Sequence, residues 1–387
     1  MKRRRSAFTE LVGAGHRDET LARTVGPPVQ KGSTVLLDRA ADLYDESRPT
    51  YGRGGLATQQ TLAHALGQLE SAEHVRLFPS GLAAMTAAMT AVLRAGDEVL
   101  VTDAIYKPTR RFSERVLRRF GVEVRYHPAR LEPEALIGLA TPRTKLIVME
   151  SPGSLSLEMQ DVPAIAHLAR SRGILTLIDN TWAAGLLFKP LEHGVDLSAQ
   201  SLTKYVGGHS DVFMGSVATR DPGLGKALDE TVWDFGWSVS PDDAYLMLRG
   251  LRTLPARIAR CGESGLQVAA SLAGHPRVAE VLHPALPGSP DHALWKRDFA
   301  GTAGLFSFLL EPCPPEAVDR FLDSLELFGL GFSWGGFESL ALACDPQLGV
   351  RLHEPPRRGP LVRLNIGLED PADLIDDLAR GLGTIEG

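Results

Sequence analysis

The stretch Ser201-Leu-Thr-Lys204-Tyr-Val-Gly-Gly-His-Ser-Asp211 follows a hydrophobic segment and sets one lysine beside two hydroxyl residues and a glycine pair. A lysine forms a Schiff base only when its amine is neutral, which requires a partly desolvated pocket or a nearby cation. Ser201, Thr203 and the glycines suit an anion, phosphate foremost. A lone loop lysine is ordinarily a solvated charge, so the reading needs support from elsewhere in the chain.

That support begins just upstream, in Leu175-Thr-Leu-Ile-Asp179-Asn-Thr-Trp182. Here an acidic residue stands where a buried strand should end, and open α/β sheets bind ligands at the carboxyl ends of their strands. Such an aspartate can be a simple turn or helix-cap residue. It can also hold a pyridine nitrogen protonated, which makes the ring an electron sink. Farther out, Phe78-Pro-Ser80-Gly81-Leu82-Ala83 opens a helical run, and the free N–H groups and positive dipole end of a helix start favour phosphate. Tyr51-Gly-Arg53-Gly54 offers an arginine fork and a hydroxyl for the same anion.

Composition narrows the function further. At roughly 150 residues per domain, 387 residues predict two or three structural units. With 44% hydrophobic and 23% charged residues, disordered and collagen-like classes are excluded. Lys and Arg number 41 against 47 Asp and Glu, a net charge of -6, so there is no overall basic field to hold nucleic acid or an anionic membrane. The expected partner is a small molecule. Cys261, Cys313 and Cys344 lie too far apart for a disulfide framework or a zinc knuckle, and the eleven histidines show no metal spacing, so no metal is expected. The basic Met1–Arg5 is not followed by the apolar run of a signal peptide, and the expected location is the cytoplasm. The apolar helix candidate Ala83–Leu93 is far shorter than the roughly 20 residues that cross a bilayer.

Residues 1–55, with Gly26-Pro27-Pro28 and little periodicity, read as an N-terminal arm. Residues 56–245 alternate helix and strand patterns: helices over 58–69, 82–93, 109–120 and 162–171, strands over 98–102, 123–126, 145–149 and 175–178. This predicts an α/β fold with a mostly parallel central sheet covered by helices on both faces. Residues 246–387 read as a smaller α+β domain, with a helix over 245–272 broken near Pro255, strands over 304–310 and 362–366, and helices over 315–327 and 372–382. Glu354–Pro360 reads as a turn-rich loop.

The lysine, the strand-end aspartate, the phosphate cup and the phosphate arginine occur in a chain with no Gly-x-Gly-x-x-Gly after its first strand, which argues against a nucleotide-binding oxidoreductase. The chain resembles the fold-type I pyridoxal-phosphate (PLP) enzymes, in particular the Cys/Met-metabolism family, from about residue 25 onward. Asp179-Asn-Thr-Trp-Ala-Ala-Gly185, Thr203-Lys-Tyr205 with Gly208-His-Ser-Asp211, and Phe332-Ser-Trp-Gly-Gly-Phe-Glu-Ser339 look most like the bacterial cystathionine β-lyase branch. His283–Gly288 and Trp295–Phe299 point the same way. Ser333-Trp334 is the most discriminating pair, since synthase and γ-lyase relatives usually lack that tryptophan.

The resemblance implies roles residue by residue. Lys204 would carry the cofactor as a Schiff base, Asp179 would pair with the ring nitrogen, and Tyr106 would stack on the ring. Gly81, Leu82, Ser201 and Thr203 would hold the phosphate, with Tyr51 and Arg53 reaching it from a neighbouring subunit of a homotetramer built from dimers with shared active sites. Arg363, assisted by Ser333, would clamp the substrate α-carboxylate, for which an arginine fork is better suited than a lysine. The implied reaction is β-elimination of L-cystathionine to homocysteine, pyruvate and ammonia, in methionine biosynthesis. The sibling readings are cystathionine γ-lyase, γ-synthase and cysteine desulfhydrase, and a reading from another class is a non-catalytic PLP-binding regulator. Gly54 and Phe332 depart from the family pattern, where a larger residue and a tyrosine are frequent. His209 is expected to be structural, and Trp233, Phe235 and Trp237 to fill the core.

Overall fold

Segments that are apolar at nearly every position make strands buried on both faces, the arrangement parallel sheets require. In β2 (Glu98–Thr102), β4 (Thr144–Glu150) and β5 (Leu175–Asp179), the residues Val99–Val101, Leu146–Met149, Leu177 and Ile178 are all fully buried. They form the centre of a seven-stranded sheet in a computed structural model that describes residues 6, 9, 11, 24–45, 48–353 and 355–385. Met1–Arg5, most of the expected arm up to residue 23 and Glu354 of the expected loop lie outside the described residues.

The other strands are β1 (His74–Phe78), β3 (Glu123–His127), β6 (Leu197–Ser201) and β7 (Gly215–Thr219), in the order β1-β7-β6-β5-β4-β2-β3. Only the pairings of β7 are antiparallel. Alternate residues of the central strands enter two separate apolar clusters. One holds the helices Ala57–Glu70 and Val162–Ser171, the other Gly81–Val92 and Pro222–Phe235. The expected mostly parallel sheet with helices on both faces is thus present.

β1, β6 and β7 were not legible as strands because polar residues interrupt them. In β6 the buried Ser198 and Gln200 serve a buried carboxylate: Ser198 Oγ donates to Glu70 at 2.5 Å, and the Gln200 amide donates to the same group. The helix expected over 109–120 starts earlier and is subdivided, α-helical over Lys107–Phe112, π-helical over Ser113–Leu117 and 3-10 over Arg118–Phe120.

A second sheet of five strands, β8 (Val278–Leu282), β9 (Leu305–Leu310), β10 (Gly329–Leu330), β11 (Leu340–Ala343) and β12 (Leu361–Asn365), runs in the order β10-β11-β12-β9-β8. Its core is closed by the helices Pro315–Asp323 and Pro371–Leu382. The first of these stops four residues short of expectation, because Asp377 takes the Glu326 and Leu327 N–H groups into a turn.

The helix Pro241–Ala273 joins the two sheets and is not broken at Pro255. A proline inside a helix costs about 3 kcal/mol. Opposing that cost, Leu248, Leu251, Leu254 and Ile258 are buried along one stripe, and Arg257 donates to the carbonyls of Tyr205 at 2.7 Å, Val206 at 3.2 Å and Gly250 at 2.7 Å. The two parts are also tied by a buried ion cluster. Arg351 donates to Asp103 at 3.1 Å and Glu158 at 2.9 Å, and Asp103 also receives Arg110 and the Leu352 and His353 N–H groups. Among the described residues no helix is long and apolar enough to cross a membrane.

β2 has β3 on one side and β4 on the other, so the direction of strand growth reverses there. A sheet of this kind opens a crevice at the carboxyl ends of the strands next to the reversal. Glu150, Asp179 and Ser201 are the last residues of β4, β5 and β6.

Candidate active site

An inner cavity of about 290 Å³ lies at these strand ends and adjoins an outer chamber of about 940 Å³, the two sharing Leu82, Tyr106, Phe332, Trp334 and Arg363 in their walls. The inner cavity is lined by Gly81, Leu82, Tyr106, Asp179, Ser201, Thr203, Lys204, Ser333, Trp334 and Arg363 together with Glu150. Residues from the first sheet and from the loop before β11 therefore meet around one space.

Lys204 sits in the turn between β6 and β7. The turn is fixed by the Lys204 N–H on Ser201 O at 3.2 Å, the Gly208 N–H on Lys204 O at 2.8 Å, and exchange between the Thr203 hydroxyl and both backbone groups of Met214. The Lys204 amine donates to Ser333 Oγ at 2.8 Å and lies 5.2 Å from the centre of the Trp334 ring. Burial, helped by the nearby Arg363 charge, brings it down from the ordinary lysine value to about 8, against the opposing pull of Asp179 and Glu338. It is an amine poised to lose its proton near neutral pH.

Asp179 is oriented by its neighbour: its Oδ1 accepts from the Thr181 N–H at 3.1 Å and from the Thr181 hydroxyl at 2.5 Å. Thr181 Oγ1 in turn accepts the Ser201 N–H at 2.8 Å, linking the ends of β5 and β6. Burial raises the affinity of Asp179 for a proton, while the Thr181 bonds and Lys204 oppose this. A cationic ring nitrogen is the partner such a desolvated carboxylate lacks.

At the start of the helix Gly81–Val92, Ser80 caps the Ala83 N–H at 3.1 Å and its carbonyl receives the Ala84 N–H at 3.0 Å. Gly81 and Leu82 thus carry the first N–H groups, the ones a helix start leaves for an anion. A Cβ at Gly81 would lie 2.4 Å from Ser201 Cβ, so only glycine permits this close approach of helix start to strand end. The result is a small cradle of N–H and hydroxyl groups.

Tyr106 stands at the mouth, 45% exposed, and precedes the helix Lys107–Phe112. Arg363, on β12 opposite Ser307, is only 7% exposed, and its Nη2 donates to the carbonyls of Phe332 at 2.9 Å and Ser333 at 3.1 Å. Those two bonds occupy one guanidinium nitrogen and hold the fork at the cavity wall.

Tyr51 and Arg53 are not in this cavity. They border a separate cleft with Ser238 and Val239. Tyr51 is 46% exposed, and the Arg53 guanidinium lies 4.7 Å over the Trp233 ring. Gly54 provides room for that ring, since a Cβ there would lie 3.0 Å from it. The expectation that the aromatic trio fills the core needs correction: Trp237 packs edge-on against Phe78, but Trp233 and Phe235 are exposed, the first serving as the face for Arg53. His209 turns its Nδ1 to the Gly207 carbonyl at 2.7 Å within its own loop. Phe332 is exposed at the rim of the cavity.

Sequence reasoning missed Glu150. Its carboxylate faces the cavity beside Asp179 and accepts the Tyr106 N–H at 2.7 Å. Reading β4 as ending at Met149 placed this acid outside the strand.

The site suits pyridoxal phosphate on its own chemistry. One cavity brings together an amine that can be neutral, a desolvated carboxylate with no ion pair of its own among the described residues, and a glycine-lined anion cradle. The model of the Cys/Met metabolism PLP-dependent enzyme family matches residues 8–383. A cystathionine β-lyase of Bordetella avium is 42% identical, over 96% of this chain and 95% of its own. A cystathionine β-lyase of Escherichia coli is 40% identical, over 97% and 98%. The crystal structure of a cystathionine γ-synthase from Xanthomonas oryzae pv. oryzae, in complex with aminoacrylate and cysteine, superposes with a TM-score of 0.92 at 32% identity, covering 99% of both chains. A match of this extent, on a site of this composition, makes the chain a member of the Cys/Met metabolism PLP-dependent enzyme family.

Proposed function

We propose that the protein is a carbon–sulfur lyase that cleaves the Cβ–S bond of L-cystathionine and, with uptake of one water after that cleavage, gives homocysteine, pyruvate and ammonia. When bound, pyridoxal phosphate supplies the electron sink that makes the substrate Cα–H acidic. Everything else is work for the chain's own residues. The Arg363 fork holds the substrate carboxylate, with Ser333 beside it. Lys204, as a neutral amine, would take the Cα proton, and its lowered proton affinity suits that task. Asp179 would keep its negative charge toward the ring nitrogen, Tyr106 would cover the ring face, and Gly81, Leu82, Ser201 and Thr203 would hold the phosphate. The apolar walls Leu157, Trp182 and Leu305 limit water around the reacting carbon.

The observation that carries the β-cleavage reading is the Trp334 ring beside the Lys204 amine, backed at 5.5 Å by Tyr205. It stands beside the base in the cavity wall, and on this reading it favours seating the half of cystathionine whose sulfur is on Cβ. Incubation of the holoenzyme with L-cystathionine, followed by identification of the thiol, tests this directly. Homocysteine with equimolar pyruvate supports β-cleavage, whereas cysteine with a four-carbon keto acid assigns γ-cleavage instead.

We further infer a cytoplasmic homotetramer built from dimers in which Tyr51 and Arg53 complete the partner's phosphate site. The exposure of both residues and their place in a separate cleft support the shared site. Mixing inactive Lys204→Ala and Arg53→Ala variants should restore about a quarter of the sites in randomly reassembled dimers, because one site in each hybrid is intact. No recovery would place Arg53 outside the partner's site.

A further inference from the structure

Glu150 is a part-buried acid facing the inner cavity that takes no part in the chemistry above. It ends β4 in register with Asp179 on β5, so the two carboxyls stand side by side on adjacent strands. Burial and the Asp179 charge push it well above the ordinary carboxylate range. The groups facing it are Asp179, the Tyr106 N–H, the Ser154 side chain and the more distant Arg351 charge.

Tyr106, which rests on the reading above as the face against which the cofactor ring lies, is poorly held by packing because nearly half of its surface is exposed. Its ring direction follows from its backbone. That backbone is non-helical (φ -48°, ψ 126°) just before the helix Lys107–Phe112. The Tyr106 N–H donates to Glu150 Oε2 at 2.7 Å, and its carbonyl accepts from the Arg110 N–H at 3.1 Å. A hydrogen bond from the strand end thus reaches the residue that the reading above sets against the ring face.

We propose that Glu150 is a positioning residue that holds Tyr106 against the cofactor ring by accepting its backbone N–H. It acts through Tyr106 and does not touch the reacting atoms. An acceptor oxygen is required at this place and a negative charge is not, so glutamine serves and alanine does not.

The test uses the PLP-loaded enzyme, with the circular dichroism of the bound cofactor as the signal that reports ring orientation. Glu150→Ala should lose most of that dichroic band, bind PLP about tenfold more weakly and lose about tenfold in kcat/KM, as for the loss of one hydrogen bond. Glu150→Gln should stay within about twofold of the wild type in all three. Adding Glu150→Ala to Tyr106→Ala should cause no further loss, the non-additivity expected of groups acting as one unit. Should Glu150→Ala fail to fold, Glu150→Asp, whose shorter side chain withdraws the acceptor from the Tyr106 N–H, should show the same losses. A full dichroic band and unchanged kcat/KM in the alanine or aspartate variant, a glutamine variant as poor as alanine, or independent effects in the double variant would each overturn the inference. Those results leave the lyase reading intact, provided the wild type is loaded and active. A wild type that takes up no PLP would defeat both.

Discussion

If burial and the Arg363 charge are what lower Lys204 to about 8, then capture of PLP by the apoenzyme must follow the titration of that one amine. At pH 7 about one Lys204 in ten would be neutral, against roughly one in three thousand for an ordinary lysine, so capture should be about 300-fold faster than for a solvated amine. The rate should climb about tenfold per pH unit up to about 8 and then level off. Rapid mixing of apoenzyme with PLP, read at the visible band of the lysine-bound cofactor from pH 6 to 10.5, measures this. Arg363→Gln removes a cause of the lowering and should move the midpoint upward. Asp179→Asn removes an opposing charge and should move it downward. A rate still rising through pH 10, or an Arg363 variant whose midpoint falls, would refute this account of the lysine.

Three further outcomes follow from the surroundings of the site. Burial raises Glu70 from 4.5 to about 7, so the stability of its neutral form is present in full below the unfolded value and is lost as pH rises through about 7. The loss should reach about 3 kcal/mol by pH 8, and Glu70→Gln should remove it; urea unfolding at pH 5 and pH 8 that drops equally in both proteins would contradict this. Gly81→Ala drives a Cβ to 2.4 Å from Ser201 Cβ, and should cost about 1–3 kcal/mol in stability together with a weaker PLP titration; an unchanged Kd for PLP would show that the cradle does not hold the phosphate. Arg351→Met leaves Glu158 and Asp103 buried without their shared cation, and should destabilise by about 3 kcal/mol, with a loss under about 1 kcal/mol in denaturant unfolding counting against the ion cluster as a clamp.

How far the molecule can be read from its sequence depends on how each segment meets water. β2, β4 and β5 carry unbroken apolar runs at Val99–Val101 and Leu146–Met149 and the pair Leu177-Ile178, because both their faces are covered there, and these runs stand out. β6 was hidden because Ser198 and Gln200 are buried as partners of Glu70, a pairing between residues more than a hundred positions apart. The unbroken helix through Pro255 was illegible for a similar reason. Its compensation comes from Arg257 reaching the turn that carries Lys204, a tertiary contact absent from any local window.

Within the site, Lys204 and Asp179 were visible from the hydroxyls, glycines and strand that flank them. Glu150 was not, since its importance lies in the backbone N–H of Tyr106, 44 positions away. The setting of Arg53 on Trp233 likewise depends on the space left by Gly54 and appears only in three dimensions.

The most direct measurement reduces the yellow holoenzyme with borohydride, digests it and identifies the peptide carrying the pyridoxyl group. The account predicts a single modified residue, Lys204, within the Ser201–Asp211 stretch, and no modification in Lys204→Ala. Label on another lysine, or none at all, would contradict it.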